Sequence, residues 1–196
     1  MEEPSLLRQT PFAVKTNILY DEASFVNFSV EAGLGSNWGV QFDAICPWWK
    51  DDDNLRVTQM INLGLEGRYY WRGWTDNSRA ISGPYVGAMV SGGIYDLCRR
   101  SSSKNKYRGF QGDYFFMGGI TCGYVWAPSP WWRLEASAGL GAMQTAYTHY
   151  DMVENGQYLM LHNEGTYTYF GPTKINFSIA WLFSQCWQQK KKGVWR

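Results

Sequence analysis

The sequence predicts an all-β protein, an eight-stranded antiparallel up-and-down β-barrel whose strands cross a membrane. Apolar and polar residues alternate with a period of two in segment after segment, which is typical of strands with one apolar face. Aromatic residues make up 17% of the chain and include 11 tryptophans. No run approaches the roughly 18 apolar residues that a spanning helix needs. The mean hydropathy of −0.37 still permits a spanning barrel, because alternating strands average to low hydropathy.

Residues 38–48 show the alternation clearly, since Phe42 and Trp48 fall on one face while Gln41 and Asp43 fall on the other. The same reading predicts eight strands, at about residues 12–20, 25–35, 38–48, 57–71, 83–95, 112–126, 131–147 and 167–183. Most reach the roughly 9–11 residues that cross a bilayer at the tilt of a barrel. Outer-membrane barrels keep both termini in the periplasm. We therefore expect outer loops at 21–24, 49–56, 96–111 and 148–166.

Three parts of the chain follow from this assignment. We expect an N-terminal periplasmic segment at 1–11, the barrel domain at 12–183 and a periplasmic C-terminal tail at 184–196. The opening Met1-Glu2-Glu3-Pro4 is acidic and polar, unlike a secretory signal peptide, so we expect a mature or re-engineered form of an exported protein. The tail carries Lys190-Lys191-Lys192, a pattern typical of a solvated charge run.

The two faces of the predicted strands differ in charge, which favours a membrane barrel over a soluble one. One face is bulky, apolar and nearly free of charge, and such a surface is hard to keep in water. The other face carries equal numbers of cations and anions: Lys15, Glu31, Asp43, Glu66, Arg68, Arg133, Glu135 and Lys174. A narrow closed interior needs that balance, because an unpaired buried charge costs several kcal/mol. These residues are the predicted interior ion-pair network.

Aromatic residues collect at the ends of the predicted strands, as in Trp48-Trp49, Tyr69-Tyr70-Trp71 and Trp131-Trp132. Girdles of this kind mark the two interfaces of a membrane barrel. A soluble lipocalin-like barrel is the alternative, and it would turn its apolar face inward around a ligand. An interior of eight strands has room only for side chains, so the charged face fits inside better.

Five stretches carry a resemblance to a known family. They are KTNILYD at 15–21, EAGLGSNWGVQFD at 31–43, GRYYW at 67–71, WRLEASAGLG at 132–141 and YFGPTK at 169–174. With these motifs the chain resembles domain-of-unknown-function family 3575, common in Bacteroidetes, over about residues 12–183. The resemblance implies an OmpA-like eight-stranded barrel, often encoded near fimbrial genes. No activity is established for that family, so the resemblance implies fold and location but no chemistry.

Residues suited to catalysis are few. A lipid-modifying hydrolase, the alternative function, would use His149 with Asp151 or Glu154 and a nearby hydroxyl. The other histidine is His162, and we interpret both imidazoles as solvated loop groups. The residues of this region match no metal-ligand spacing, and the four cysteines form no CxxC pair. We therefore expect no enzyme activity, no cofactor and no metal.

Charged residues cluster in two of the predicted outer loops. The acidic cluster is Asp51, Asp52 and Asp53, and the basic cluster is Arg99, Arg100, Lys104, Lys106 and Arg108. The basic cluster suits lipopolysaccharide phosphates or an anionic partner, although a solvated loop is the interpretation we favour. With a net charge of +1, nothing points to nucleic acid.

The function we expect is a structural, anchoring or surface-interaction role without catalysis. The expected partners are outer-membrane lipid and lipopolysaccharide, with a fimbrial or other surface protein as a further candidate for a monomeric barrel.

Overall fold

The computed structural model describes residues 12–34, 37–51, 56–71, 82–100, 107–129, 131–153 and 158–183. The segments expected to be periplasmic, 1–11 and 184–196, lie outside these ranges. The elements in chain order are β1 (Phe12–Asn17), α1 (Ile18–Glu22), β2 (Val26–Leu34), β3 (Trp38–Cys46), β4 (Trp48–Asp51), β5 (Arg56–Tyr70), β6 (Gly83–Arg100), β7 (Tyr107–Trp126), β8 (Trp132–Val153) and β9 (Tyr158–Leu182).

Each strand pairs antiparallel with the next one along the chain, except that β3 pairs with β5 instead of β4, and β1 pairs with β9 to close a barrel. Strands β3 and β4 both pair with β5 and together occupy one position in the wall, interrupted at Pro47. Proline has no N–H to donate to a ladder, which explains the interruption. The wall therefore has eight strand positions, and the predicted eight-stranded antiparallel up-and-down barrel is confirmed.

The wall of the barrel is low on one side and high on the other. Strand β1 has 6 residues, whereas β9 has 25. The ladder between them joins Ala13–Asn17 to Leu182–Ser178. Within the described ranges, residues Tyr158–Phe177 of β9 thus have no strand on the side that faces β1, and we call them the open edge of β9. The end at Phe12 and Leu182 is the terminal end, and the opposite end is the far end.

The predicted first strand, 12–20, is wrong over its last three residues, which belong to α1. The Asn17 side chain accepts a hydrogen bond from the Leu19 backbone N–H at 3.1 Å and so caps the first turn of this helix. The chain then reverses through Ser24, whose φ of 54° is left-handed. Among the described residues, no helix is long and apolar enough to span a membrane.

Four strands extend further towards the far end than predicted. Strand β6 ends at Arg100, β7 begins at Tyr107, β8 ends at Val153 and β9 begins at Tyr158. Most of the predicted loops 96–111 and 148–166 is therefore strand. Ladder hydrogen bonds join backbone groups whatever the side chains are. These strand ends mix polar and apolar residues without a period of two, as in Tyr158-Leu159-Met160-Leu161, so the alternation does not reveal them.

Candidate functional site

The interior near the terminal end is filled by charged side chains from β1, β2, β3, β5, β8 and β9. Each occupies an alternate position on its strand, so its neighbours in the chain point outward. Six of the predicted network residues are at most 1% exposed: Lys15, Glu31, Glu66, Arg68, Arg133 and Glu135. Asp43 and Lys174 lie on the far side of this group and are slightly more exposed.

Lys15 projects from β1 into the centre of the network. Its ammonium nitrogen lies 2.6 Å from Glu135 Oε2, 2.5 Å from Glu31 Oε2 and 2.7 Å from Gln41 Oε1. An ammonium group has three N–H donors. All three have an acceptor here, although the side chain is excluded from water.

Arg68 joins β5 to the opposite wall of the barrel. Its guanidinium donates to Glu135 Oε2 at 3.0 Å through Nη1 and to Glu66 Oε2 at 3.1 Å through Nη2. The same group lies over the ring of Tyr85, 4.5 Å from the centroid, in a cation–π contact. This arginine thus links carboxylates of β5 and β8 across the barrel.

The remaining two cations complete the network. Arg133 Nη2 lies 2.8 Å from Glu31 Oε2. Lys174 Nζ lies 2.7 Å from Asp43 Oδ2 and 2.6 Å from Glu66 Oε2. All eight charged residues that the alternation placed on this face therefore meet in one group, and each of the four cations contacts a carboxylate.

Hydroxyl groups outside the predicted network donate further hydrogen bonds to its carboxylates. Tyr70 donates to Glu31 Oε1 at 2.5 Å, Tyr85 donates to Glu135 Oε1 at 2.8 Å and Thr121 donates to Glu66 Oε1 at 2.6 Å. The aromatic pattern assigns Tyr70 to a girdle, yet this residue stands two positions after Arg68 and therefore faces inward. That spacing is the signal in the sequence that identifies it.

The KTNILYD stretch folds into the turn that closes the low side of the barrel. Thr16 donates to the Asp21 carboxylate at 2.8 Å, and the Asn27 amide donates to the same carboxylate at 2.7 Å. Burial raises the pKa of the Tyr20 phenol in this turn. Tyr20 also lines a small polar cavity of about 50 Å³, large enough for water, beside Asp43 and Lys174.

The outer face of the barrel is apolar on every strand. Ile120 of β7 is 70% exposed and Phe170 of β9 is 78% exposed. The other strands contribute exposed large side chains at Phe12, Val26, Trp38, Trp48, Leu65, Val90 and Leu140. We call this surface the apolar belt. At the terminal end it includes exposed tryptophans, and Trp38 meets Tyr69 edge-on at 5.1 Å between ring centroids.

The predicted loop clusters are placed differently by the structure. Asp51 belongs to β4, Arg99 and Arg100 to β6 and Arg108 to β7, so their assignment to loops is wrong. The ladder that extends β6 and β7 makes Arg99 and Arg108 direct partners. The other four predicted contacts lie outside the described residues: Asp52, Asp53, Lys104 and Lys106.

The two histidines also belong to strands. His149 lies in β8 and His162 in β9, where a loop was expected. Asp151 lies in β8 as well, whereas Glu154 is outside the described residues. The described ranges contain no group of three or more His, Cys, Asp or Glu side chains that could hold a metal ion.

Comparison with known proteins adds a family. None of the curated proteins matches the sequence. Among solved structures, the crystal structure of a major outer membrane protein from Thermus thermophilus is similar, with 13% identity, a TM-score of 0.44 and coverage of 90% of this chain and 100% of that chain. The family described as a protein of unknown function, DUF3575, matches residues 4–183. This match spans nearly the whole barrel and every motif quoted above, and the chain belongs to the DUF3575 family.

Proposed function

We propose that this protein is a non-enzymatic β-barrel of the bacterial outer membrane, with a structural, anchoring or surface-interaction role. The observation that carries the proposal is that the polar and apolar faces of the barrel wall are reversed relative to those of a soluble barrel. Charged side chains fill the interior, while the apolar belt surrounds the outside. Soluble monomers rarely expose continuous apolar patches beyond a few hundred Å², because water contact with such surfaces is unfavourable. A bilayer removes that cost.

The charge-balanced interior supports a scaffold rather than a pore. Arg68, Arg133 and Lys15 cross the lumen to carboxylates on other strands, so the network closes the barrel near its terminal end. Eight strands enclose an interior that side chains fill or that holds one small ligand, so no wide channel is expected. The protein is therefore suited to hold its far end at the cell surface.

The far end offers the surface for a partner. Strands β6 to β9 extend this end beyond the shorter strands β1 and β2. Arg99 and Arg100 lie at the end of β6, and Arg108 lies near the start of β7. Guanidinium groups form charge-assisted hydrogen bonds with phosphates. We propose lipopolysaccharide as the general contact of this end and a fimbrial or other surface protein as its specific partner.

Membrane fractionation tests the location. The protein is exported in a Gram-negative host behind a supplied signal peptide, and the outer membrane is separated and washed with alkaline carbonate. We expect the protein to remain in the washed outer membrane. Recovery as a soluble periplasmic monomer without detergent would contradict the proposal.

A further inference from the structure

A second and larger pocket, of about 500 Å³, lies beyond the ion-pair network and is open to the outside, where its lining residues Leu97 and Tyr167 are exposed. It lies towards the far end, and we call it the far chamber. Its lining includes Met60, Tyr95, Leu97, Phe115, Met143 and Tyr167. Ligand sites for small molecules typically have volumes of about 300–1,000 Å³.

The lining residues belong to the inner face of the wall. Tyr95 stands ten positions after the inward Tyr85 on β6, and Met143 stands eight positions after Glu135 on β8, so both face inward. Phe115 is 5% exposed, and its ring lies 6.1 Å from that of Tyr95. The far chamber is therefore part of the lumen and distinct from the apolar belt.

The chemistry of the far chamber is unusual for its position. The lumen of an outer-membrane barrel is normally polar, whereas this part is lined by aromatic and thioether side chains. Two of its polar groups pair with each other, since Tyr95 OH lies 3.1 Å from Thr145 Oγ1, and Thr145 also donates to the Tyr114 carbonyl at 3.1 Å. Methionine adapts its shape to irregular apolar partners. An apolar molecule without strong hydrogen-bonding groups fits such a lining.

The open edge of β9 lies beside the far chamber. Beyond its ladder with β1, β9 keeps only β8 as a ladder partner among the described residues, and Tyr167 of the far chamber lies on this stretch. The outer faces of the same wall are apolar, with Ile94, Phe116 and Phe170 all more than half exposed. This level of the barrel is therefore suited to lipid chains on its outside as well.

We propose that the far chamber binds one acyl chain, which enters from the membrane past the open edge of β9. The inference rests on the proposed function, because the membrane supplies the chain. The occupant is an acyl chain rather than a polar solute because the lining offers apolar contacts on β5, β6, β7, β8 and β9.

Binding is tested on the full chain, refolded and transferred to an amphipol so that no free detergent competes. The probe is cis-parinaric acid, a fluorescent fatty acid, and we expect saturable binding of one molecule per barrel. Competition with palmitate, a lysophospholipid and a diacyl phospholipid then distinguishes a free fatty acid from a lipid-borne chain as the source. Saturable binding that none of the three displaces would overturn the proposal.

Matched methionine variants locate the site. Replacing both Met60 and Met143 with glutamine puts amides in the far chamber, and we expect binding to weaken by about tenfold or more. The control is Met117→Gln, because Met117 is the ladder partner of Met143 but lines the small polar cavity instead. Equal binding by both variants and wild type would overturn the proposal.

A second measurement does not depend on the variants. Native mass spectrometry of wild-type protein purified from membranes should show one acyl-bearing molecule per barrel, and barrels without any would contradict the inference. Insertion into vesicles is measured on the same preparation. A barrel that inserts but binds no chain refutes the far chamber alone, whereas a chain that never inserts refutes the proposed function.

Discussion

Glu135 illustrates how a single residue organises the interior of this barrel. Its carboxylate accepts from Lys15 at 2.6 Å, Tyr85 at 2.8 Å, Arg68 at 3.0 Å and Asn176 at 3.2 Å. The side chain is fully buried, so water cannot replace any of these partners. Without the negative charge of Glu135, the positive charges of Lys15 and Arg68 would lie close together with fewer carboxylates to balance them.

The first prediction concerns that charge. Glu135→Gln preserves the size of the side chain, and we expect it to lower the free energy of unfolding by about 3–5 kcal/mol, as breaking a buried ion pair does. Urea unfolding in lipid vesicles, followed by tryptophan fluorescence, measures the change. The control is Glu164→Gln at an exposed position of β9, expected to change stability by less than about 0.5 kcal/mol. Equal midpoints for the two variants would show that the network contributes little.

A second prediction concerns the packing around Glu66. A Cβ atom at Gly87 would lie 2.5 Å from Thr121 Oγ1 and 2.8 Å from Glu66 Oε1. Gly87→Ala should therefore destabilise the barrel by about 1–3 kcal/mol through overpacking. Gly67 lies on the neighbouring strand, where a Cβ meets nothing within 4 Å, so Gly67→Ala should leave stability unchanged or slightly raised. The same urea titration compares the two, and an equal loss in both would contradict the packing described.

At this scale the charges were easier to predict than their hydroxyl partners. Lys15, Glu31 and the other charged residues are easy to recognise, because charged residues that alternate with apolar ones along a strand indicate a polar inner face. Tyr70 does not stand out, because tyrosine suits an interfacial girdle as well as a lumen. Only the register of Tyr70, which puts it on the inner face two positions after Arg68, identifies it as a residue of the lumen.

At the scale of elements, the junction of β1, α1 and β9 depends on Asn17. Its side-chain oxygen accepts from the Leu19 and Phe177 backbone N–H groups at 3.1 and 3.3 Å, and its amide donates to the Ile175 carbonyl at 3.3 Å. One side chain thus caps the helix and extends the β1–β9 ladder after the backbone of β1 has turned away. It defines where the open edge of β9 begins.

The third prediction follows from these contacts. Asn17→Ala removes the helix cap and both contacts to β9, and we expect a loss of about 0.5–2 kcal/mol in the free energy of unfolding. Amide hydrogen exchange should accelerate at Leu19 and Phe177 in particular. Asn17→Ser keeps a capping oxygen and serves as the comparison, with less acceleration at Leu19. Unchanged exchange at both amides in Asn17→Ala would contradict the role of this side chain.

Strand positions were predicted better than strand ends. The core of each strand lies beside the apolar belt, where alternation is enforced, and those segments were found. The short helix α1 was missed because its five residues are too few to show a helical period, and the capping role of Asn17 is a local contact. The far ends of β6 to β9 were missed because backbone pairing with a neighbouring strand extends them, while their residues do not alternate regularly between polar and apolar.

At the scale of the whole molecule, we expect the cost of a charged substitution on the outer face to depend on its depth in a bilayer. Ile120 lies near the middle of the apolar belt, whereas Leu34 ends β2 at the terminal rim. Ile120→Arg should cost about 2–4 kcal/mol and Leu34→Arg about 0–1 kcal/mol, because arginine is least tolerated at the midplane of a membrane barrel. Urea unfolding in vesicles measures both. Equal costs would argue against a bilayer around this belt.

The barrel should fold only where lipid can surround its apolar belt, and a refolding experiment measures this dependence. Urea-unfolded chain is diluted either into phospholipid vesicles or into buffer alone, and samples are run on a gel with and without boiling. A folded membrane barrel migrates differently from the boiled chain, so we expect a shifted, protease-resistant band in the vesicle sample only. A stable, shifted monomer in buffer without lipid, or no shift in vesicles, would show that this barrel is not a membrane protein.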